Sequence, residues 1–257
     1  MGIKQLLRGS SIACMLFAHV ALAQVGMQFT PNQGQWHEKI AFEADILSGK
    51  LFLERTGFTY YMYHGDDQHA YHDFMHKRQE FPKNFEMRGH ILKTNFLGGK
   101  VEEVKGGDPL NFYKNYLIGR DKKQWASHVP VYQKVDYTAV YPGIDLSVYS
   151  NEDGLKYDWI IAAHADPAQI RIEYQGAEDL FIDDGIFYIR TSINHLAETR
   201  PEAYQMIDGE RIPIECSFNL NGKVLQYKLG KYNHDYALVI DPPIMVFATY
   251  SGSSADN

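Results

Sequence analysis

Three dipeptides, Asp184-Gly185, Asp208-Gly209 and Asn221-Gly222, constrain the fold of this chain more than any other feature. A two-residue hairpin of type I′ needs φ > 0 at both central positions, and Asx-Gly supplies that at little steric cost. Each dipeptide is flanked by strand-like sequence, so the second half of the chain reads as a series of antiparallel hairpins. Before the third, Ile212, Ile214, Cys216, Phe218 and Leu220 alternate with Pro213, Glu215, Ser217 and Asn219. A period of two over that length predicts one strand with a single buried face, which turns Cys216 inward as an inert thiol rather than a nucleophile.

The first half reads the same way, with strands expected at 40–45, 50–55, 57–64, 89–97 and 101–105. No segment sustains a helical period, and only short helical turns are expected, at 166–169 and within 68–80. The expected fold class is therefore all-β, an antiparallel β-sandwich built from hairpins, with a barrel as the alternative closure. A charged, turn-rich break at 119–128 is where two packed β lobes would divide. Neither an internal repeat nor a low-complexity linker is present.

Residues 1–23 carry Lys4 and Arg8, then an apolar stretch at 12–22, then Ala21-Leu22-Ala23 before Gln24. That is the anatomy of a secretory signal peptide. The apolar run is shorter than the ~20 residues a membrane-spanning helix needs, and His19 interrupts it. A lipid attachment at Cys14 lacks the leucine-type residue three places earlier, where Ser11 stands. Cleavage would leave Cys216 as the sole cysteine, so stability must come from the core and not from an intramolecular disulfide. It would also remove two cations and no acids from a formal charge of −7, giving −9. That balance argues against nucleic acid or an anionic membrane as partner, and no later segment could span a membrane as a helix. The expected location is secreted or at the cell surface.

Two constellations are candidates for chemistry. His69, His72 and His76 have spacings that fit one helix face, in a segment that also holds His64, Asp66, Asp67 and Asp73. Imidazoles so placed could hold Zn²⁺ or Cu²⁺, against the alternative of a solvated insertion. The second comes from strand register. If Ile144, Leu146 and Val148 face Trp159, Tyr157 and Leu155, then Asp145 stands opposite Asp158 on the other face. Like charges there are unfavourable and call for relief by Lys156, by Ca²⁺ or by a raised pKa.

A glycosidase reading of that acid pair would need a cleft, wider carboxylate spacing and sugar-stacking aromatics. Trp36, Trp125 and Trp159 could supply a platform, although Trp159 falls on the predicted core face. No Gly-x-Ser-x-Gly elbow exists, and Gly98-Gly99 and Gly106-Gly107 lack the helix that a phosphate loop requires. No catalytic residue is assigned, and the chain is expected not to be an enzyme.

Several blocks occur in a defined order: Asn32-Gln33-Gly34-Gln35-Trp36, Asn115-Tyr116-Leu117-Ile118-Gly119, Trp125, Tyr141-Pro142-Gly143-Ile144-Asp145-Leu146, Leu155-Lys156-Tyr157-Asp158-Trp159, Asp166-Pro167 with Ile170 to Gly176, and Val239-Ile240-Asp241-Pro242. The set resembles the N-terminal domain that precedes SBBP-type β-propeller repeats in large bacterial surface proteins, often with a gliding-motility-associated C-terminal sorting domain. Asp241-Pro242 followed by Thr249-Tyr250, Gly252-Ser253 and Asp256-Asn257 resembles the junction with the first propeller blade. On that resemblance 24–243 is the sandwich domain and 244–257 the truncated start of a repeat or a linker, with 244–250 expected as a loose or edge strand if it belongs to a repeat.

The resemblance implies an exported, non-catalytic module, carried by the type IX route and serving adhesion or assembly in gliding motility or surface attachment. Its implied partners are downstream repeats, with surface glycans or proteins beyond them. The competing class is a glycan-binding module, or a glycan-active enzyme, built on exposed Tyr and Trp with Asp145 and Asp158.

Overall fold

The computed structural model describes residues 26–242 apart from 48, 78–83, 118 and 152–153, together with the backbone of 245–248. The chain opens with β1 (Thr30–Pro31), β2 (Ile40–Ile46), β3 (Gly49–Glu54) and β4 (Gly57–Tyr63). Beyond helix α1 (Gly65–Lys77) follows β5 (Gly89–Phe96), and these five strands are consecutive antiparallel neighbours in the first sheet. A second meander follows, of β6 (Glu103–Tyr116), β7 (Ala126–Tyr141), β8 (Ile144–Asn151) and β9 (Gly154–Ile161).

The chain then alternates between sheets. Strand β10 (Ile172–Gln175) joins the first sheet beside β5. Strands β11 (Asp179–Asp183), β12 (Ile186–Arg190), β13 (His195–Glu198), β14 (Glu202–Ile207) and β15 (Glu210–Ile214) enter the second. Strands β16 (Cys216–Asn221) and β17 (Val224–Leu229) extend the first beyond β10, and β18 (Leu238–Asp241) and β19 (Met245–Ala248) return to the second. The result is the expected all-β antiparallel sandwich, not a barrel.

Alternation explains the core. Leu51 and Leu53, Phe58, Tyr60 and Met62, Ile144, Leu146 and Val148, and Leu155, Tyr157, Trp159 and Ile161 are buried at every second position of their strands. Each large apolar side chain so buried contributes roughly 1.5–3 kcal/mol. Phe58 packs edge-on against Phe96, Tyr137 and Tyr157, and Phe96 does so against Trp159, which joins the two sheets through aromatic contacts.

Strand β9 is the hub of the second sheet. It pairs β8 on one side, and on the other pairs β18 and then β19. Ile240 lies opposite Trp159 but Met245 opposite Leu155, five residues on one strand against four on the other. Pro242, which cannot donate to a ladder, follows directly on β18. Strand β19 also pairs β13 along its whole length. The backbone of Met245–Ala248 is thus interior to the sheet, where a loose or edge strand was expected; residues 244, 249 and 250 lie outside the described residues.

Local differences have local causes. The alternating stretch 212–220 is two strands in different sheets, with the switch at Glu215: Ile214 pairs Ala203 in the second sheet and Cys216 pairs Leu229 in the first. Period two continues through such a switch, so alternation alone cannot reveal it. Cys216 is only partly buried, and that burial pushes its thiol up to about 12, as befits an inert group.

Asp184-Gly185 and Asp208-Gly209 have φ of 45° and 75°, and of 52° and 86°, as type I′ demands. The third hairpin instead closes with Gly222 and Lys223 between paired Asn221 and Val224, and only Gly222 has positive φ, at 60°. Helix α1 is longer than the short turns expected, and β6 continues to Tyr116. The stretch 119–128 contains the connection between β6 and β7 and the start of β7.

Candidate functional site

The outer face of the second sheet carries the acids that sequence pairing singled out, in a different arrangement. Strands β8 and β9 pair with Asn151 opposite Gly154, Leu146 opposite Trp159 and Val148 opposite Tyr157. This register is displaced by two residues from the expected one, and both registers bury the same face, so the apolar pattern does not decide between them. Asp145 therefore lies opposite Ile160, and Asp158 opposite Ser147. The two carboxylates are not a cross-strand pair. Asp145 Oδ1 accepts a 2.7 Å bond from the Ala139 amide, where Ala139 has φ of 51° within an irregular stretch of β7. Its role there is to satisfy an irregular backbone.

Asp158 has another acidic neighbour. Ile240 opposite Trp159 brings the next residue, Asp241, alongside Asp158. The Tyr149 hydroxyl donates to both Asp158 oxygens at 3.2 and 3.1 Å. Lys156 Nζ stands 2.7 Å from Asp241 Oδ1, an ion pair at close range that lacks hydrogen-bond alignment, since that buried oxygen has no hydrogen-bond partner. Burial first, then the Asp241 charge, pushes Asp158 up to about 6, while Tyr149 and Lys156 act in the opposite sense. Lys156 thus sits against Asp241, in an acid pair other than the expected Asp145 and Asp158.

The row continues across neighbouring strands: Asp136 faces Ser147, Ser147 faces Asp158, and Asp241 faces Glu202. Ser147 Oγ donates to Asp136 at 2.7 Å, and Arg211 donates to Glu202 at 3.2 Å. These partners make the row a largely balanced ladder on a sheet face.

Between the sheets lies a group that sequence reasoning passed over. Glu198 is fully buried, with Tyr157 donating to Oε2 at 2.7 Å and Tyr174 to Oε1 at 2.8 Å. Tyr174 belongs to the first sheet and Glu198 to the second, so this carboxyl ties the sheets together. Desolvation pushes Glu198 up to about 7, against the pull of the two phenols. A signal was available, because Glu198 follows buried Leu196 by two residues on one strand and so shares its inward face. A small cavity nearby is lined by Phe58, Tyr60, Thr94, Phe96, Tyr157, Ile172 and Tyr174.

On α1 the structure brings two of the three candidate histidines together. His72 and His76 face each other with Nε2 atoms 2.9 Å apart and ring centroids 4.1 Å apart. His69 shares the exposed surface without joining that contact. Asp67 receives the Arg88 amide, Nε and Nη2 at 2.8–2.9 Å, which fixes the start of the helix to the approach to β5 and holds the carboxyl well below its usual range. Among the described residues no group of three or more His, Cys, Asp or Glu is arranged to hold a metal ion.

The far end of the β6–β7 ribbon carries four exposed apolar side chains. Phe112, Tyr113, Leu117 and Trp125 are 45%, 53%, 55% and 37% exposed. Tyr113 stacks on His128, the Trp125 indole donates to the Gly119 carbonyl at 3.3 Å, and Lys122 lies 5.6 Å from the Trp125 ring centre. Residues 110–128 hold Lys114, Arg120, Lys122 and Lys123 against the single acid Asp121, in a chain of formal charge −7.

The Asn32 to Trp36 block packs against this end. Asn32 Nδ2 donates to the carbonyls of Trp36, His37 and Ile40, and Trp36 packs edge-on against Tyr116. Trp159 is fully buried, so the three tryptophans do not form a common exposed platform.

Fold and side chains together define a two-sheet β-sandwich whose ionisable groups mostly serve its own architecture. The chain belongs to the DUF7948 family, a domain of unknown function, whose sequence profile matches residues 29–243. The match begins at the buried Phe29 and closes just past Asp241, so β19 falls outside it. No curated protein and no solved structure matches the chain.

Proposed function

We propose that this chain is an exported, non-catalytic module of a large repeat-bearing surface or secreted protein, acting in adhesion or assembly linked to gliding motility or surface attachment. The sandwich is a rigid scaffold, downstream repeats are its covalent neighbours, and the ribbon end makes the external contacts. The observation that carries this reading is that ribbon end, where exposed aromatics and a local excess of cations stand out from an acidic chain. The leader-like 1–23 segment and the resemblance of 241–257 to a propeller junction support export and a repeat-bearing context. The described residues contain no helix long and apolar enough to cross a membrane.

A glycan-binding role is the second reading, and the exposed Trp125 and Tyr113 favour it at the ribbon rather than at Asp145 and Asp158. An enzymatic version finds less support, because the acids serve a backbone irregularity and a balanced ladder. The test is to tag the natural gene product in its host and treat intact cells with protease. The proposal expects export and loss of the module from the cell surface or its release into the medium; retention in the cytoplasm would overturn it.

A further inference from the structure

The approach of His72 and His76 is closer than a tetrahedral ion would take. With metal–nitrogen bonds of about 2.05 Å, two ligands at a right angle are about 2.9 Å apart and two at a tetrahedral angle about 3.3 Å apart. The observed Nε2 separation is 2.9 Å. We infer that His72 and His76 form a cis two-nitrogen site for a tetragonal divalent ion, Cu²⁺ ahead of Ni²⁺, with water in the remaining positions.

Three features of the chain support the site. The residues are four apart on α1, so their side chains leave the same face one turn from each other. Both are exposed, which leaves room for water ligands. The helix is also held in place: Asp67 and Arg88 fix its start, and Phe74 packs edge-on against Phe85 at 5.7 Å. The nitrogens are therefore brought together before the ion arrives, which lowers the ordering cost of chelation.

In the metal-free pair one Nε2 carries the hydrogen that lies between the rings. On binding, that ring moves its hydrogen to Nδ1, and both Nε2 lone pairs turn to the ion. His69 is no ligand in this arrangement. The 2.9 Å separation is that of the hydrogen bond in the metal-free pair and lets the two nitrogens take adjacent positions on a tetragonal ion with little movement, which favours Ni²⁺ over Zn²⁺; Cu²⁺ comes first by the general order of divalent affinities. The site is independent of the surface-module reading, and its failure would leave that reading standing.

The experiment is a Cu²⁺, Ni²⁺ and Zn²⁺ titration of the untagged chain by calorimetry, with electron paramagnetic resonance of the Cu²⁺ form. One site with splitting from two equivalent nitrogens is expected, and Ni²⁺ should bind more tightly than Zn²⁺. His72→Ala and His76→Ala should each weaken Cu²⁺ by roughly 100-fold, because each leaves one donor without its tethered partner. His69→Ala should leave binding unchanged.

The double variant His72→Ala, His76→Ala supplies the baseline for any binding by the amino terminus. Alanine favours helix, so α1 should persist, and circular dichroism of the metal-free variants checks that it does. His72→Gln with His76→Gln gives a second pair that keeps polar side chains. Undiminished Cu²⁺ binding in either double variant, a one-nitrogen signal, Zn²⁺ ahead of Ni²⁺, or a loss on His69→Ala would overturn the inference.

Discussion

The seam around Glu198 and the end of the β6–β7 ribbon use the same kinds of side chain to opposite ends. In the seam, tyrosines turn inward and spend their hydroxyls on one buried carboxyl that spans the two sheets. At the ribbon end, aromatic rings lie open to solvent, among cations on a two-stranded extension. A polar group fully removed from water must be satisfied by the fold itself, so the seam is bound to architecture. Partly exposed rings carry no such obligation and keep area open to solvent. The contrast teaches that aromatic abundance in this chain has two separate causes.

The largest expected effect would come from Glu198→Ala, which leaves two buried phenols without their acceptor and opens a void. It should cost about 3–5 kcal/mol in chemical denaturation. A cost near that of a surface substitution would mean that the seam is not what joins the sheets.

Next comes pH. The folded-state value of Glu198 is raised from 4.5 to about 7, so the folded chain holds a proton that the unfolded chain has released across that window. Its stabilisation is present below 4.5 and is lost as pH rises through 7, a change on the order of 3 kcal/mol. Denaturation midpoints of wild type and Glu198→Gln, measured from pH 4 to 8, should separate in favour of glutamine as pH rises. Parallel curves would contradict the assignment.

Tyr174→Phe removes one intersheet bond and leaves the other phenol in place, for a loss of about 1–2 kcal/mol. On the outer face, Asp158→Asn should change stability least. It removes a like-charge neighbour of Asp241, giving a gain of less than about 1 kcal/mol at pH 7. The gain should shrink as pH falls from 6 toward 3.8, where the wild-type carboxyl is increasingly protonated in both states. A large loss at pH 7 would show that the carboxylate row does more than balance itself.

Much of this architecture was legible in the sequence. Alternation and Asx-Gly turns foretold an antiparallel sandwich, because a strand with one wet face must repeat every second residue. Register was less legible: a slip of two residues keeps every side chain on its face, so the pattern on β8 and β9 could not distinguish Asp158 opposite Asp145 from Asp158 opposite Ser147. The sheet switch at Glu215 was hidden for the same reason. Asp241 meets Asp158 from far along the chain, a contact that local pattern cannot carry. Glu198 was readable from its place two residues after Leu196, but a charged side chain is seldom assigned to a core. On α1, helical spacing placed His72 and His76 together; their geometry came only with the coordinates.

In the function proposed above, the scaffold and the contact surface are separate parts of the molecule. The most direct test is to measure binding of the purified chain to host-cell surfaces alongside its unfolding free energy, for wild type and for Lys122→Ala combined with Trp125→Ala. This variant should lose surface binding while its stability falls by about 1–2 kcal/mol, the cost of the indole hydrogen bond and of the packing around a ring that is 37% exposed, well short of the loss expected for Glu198→Ala. Full retention of binding, or a loss of stability comparable with that of Glu198→Ala, would contradict it.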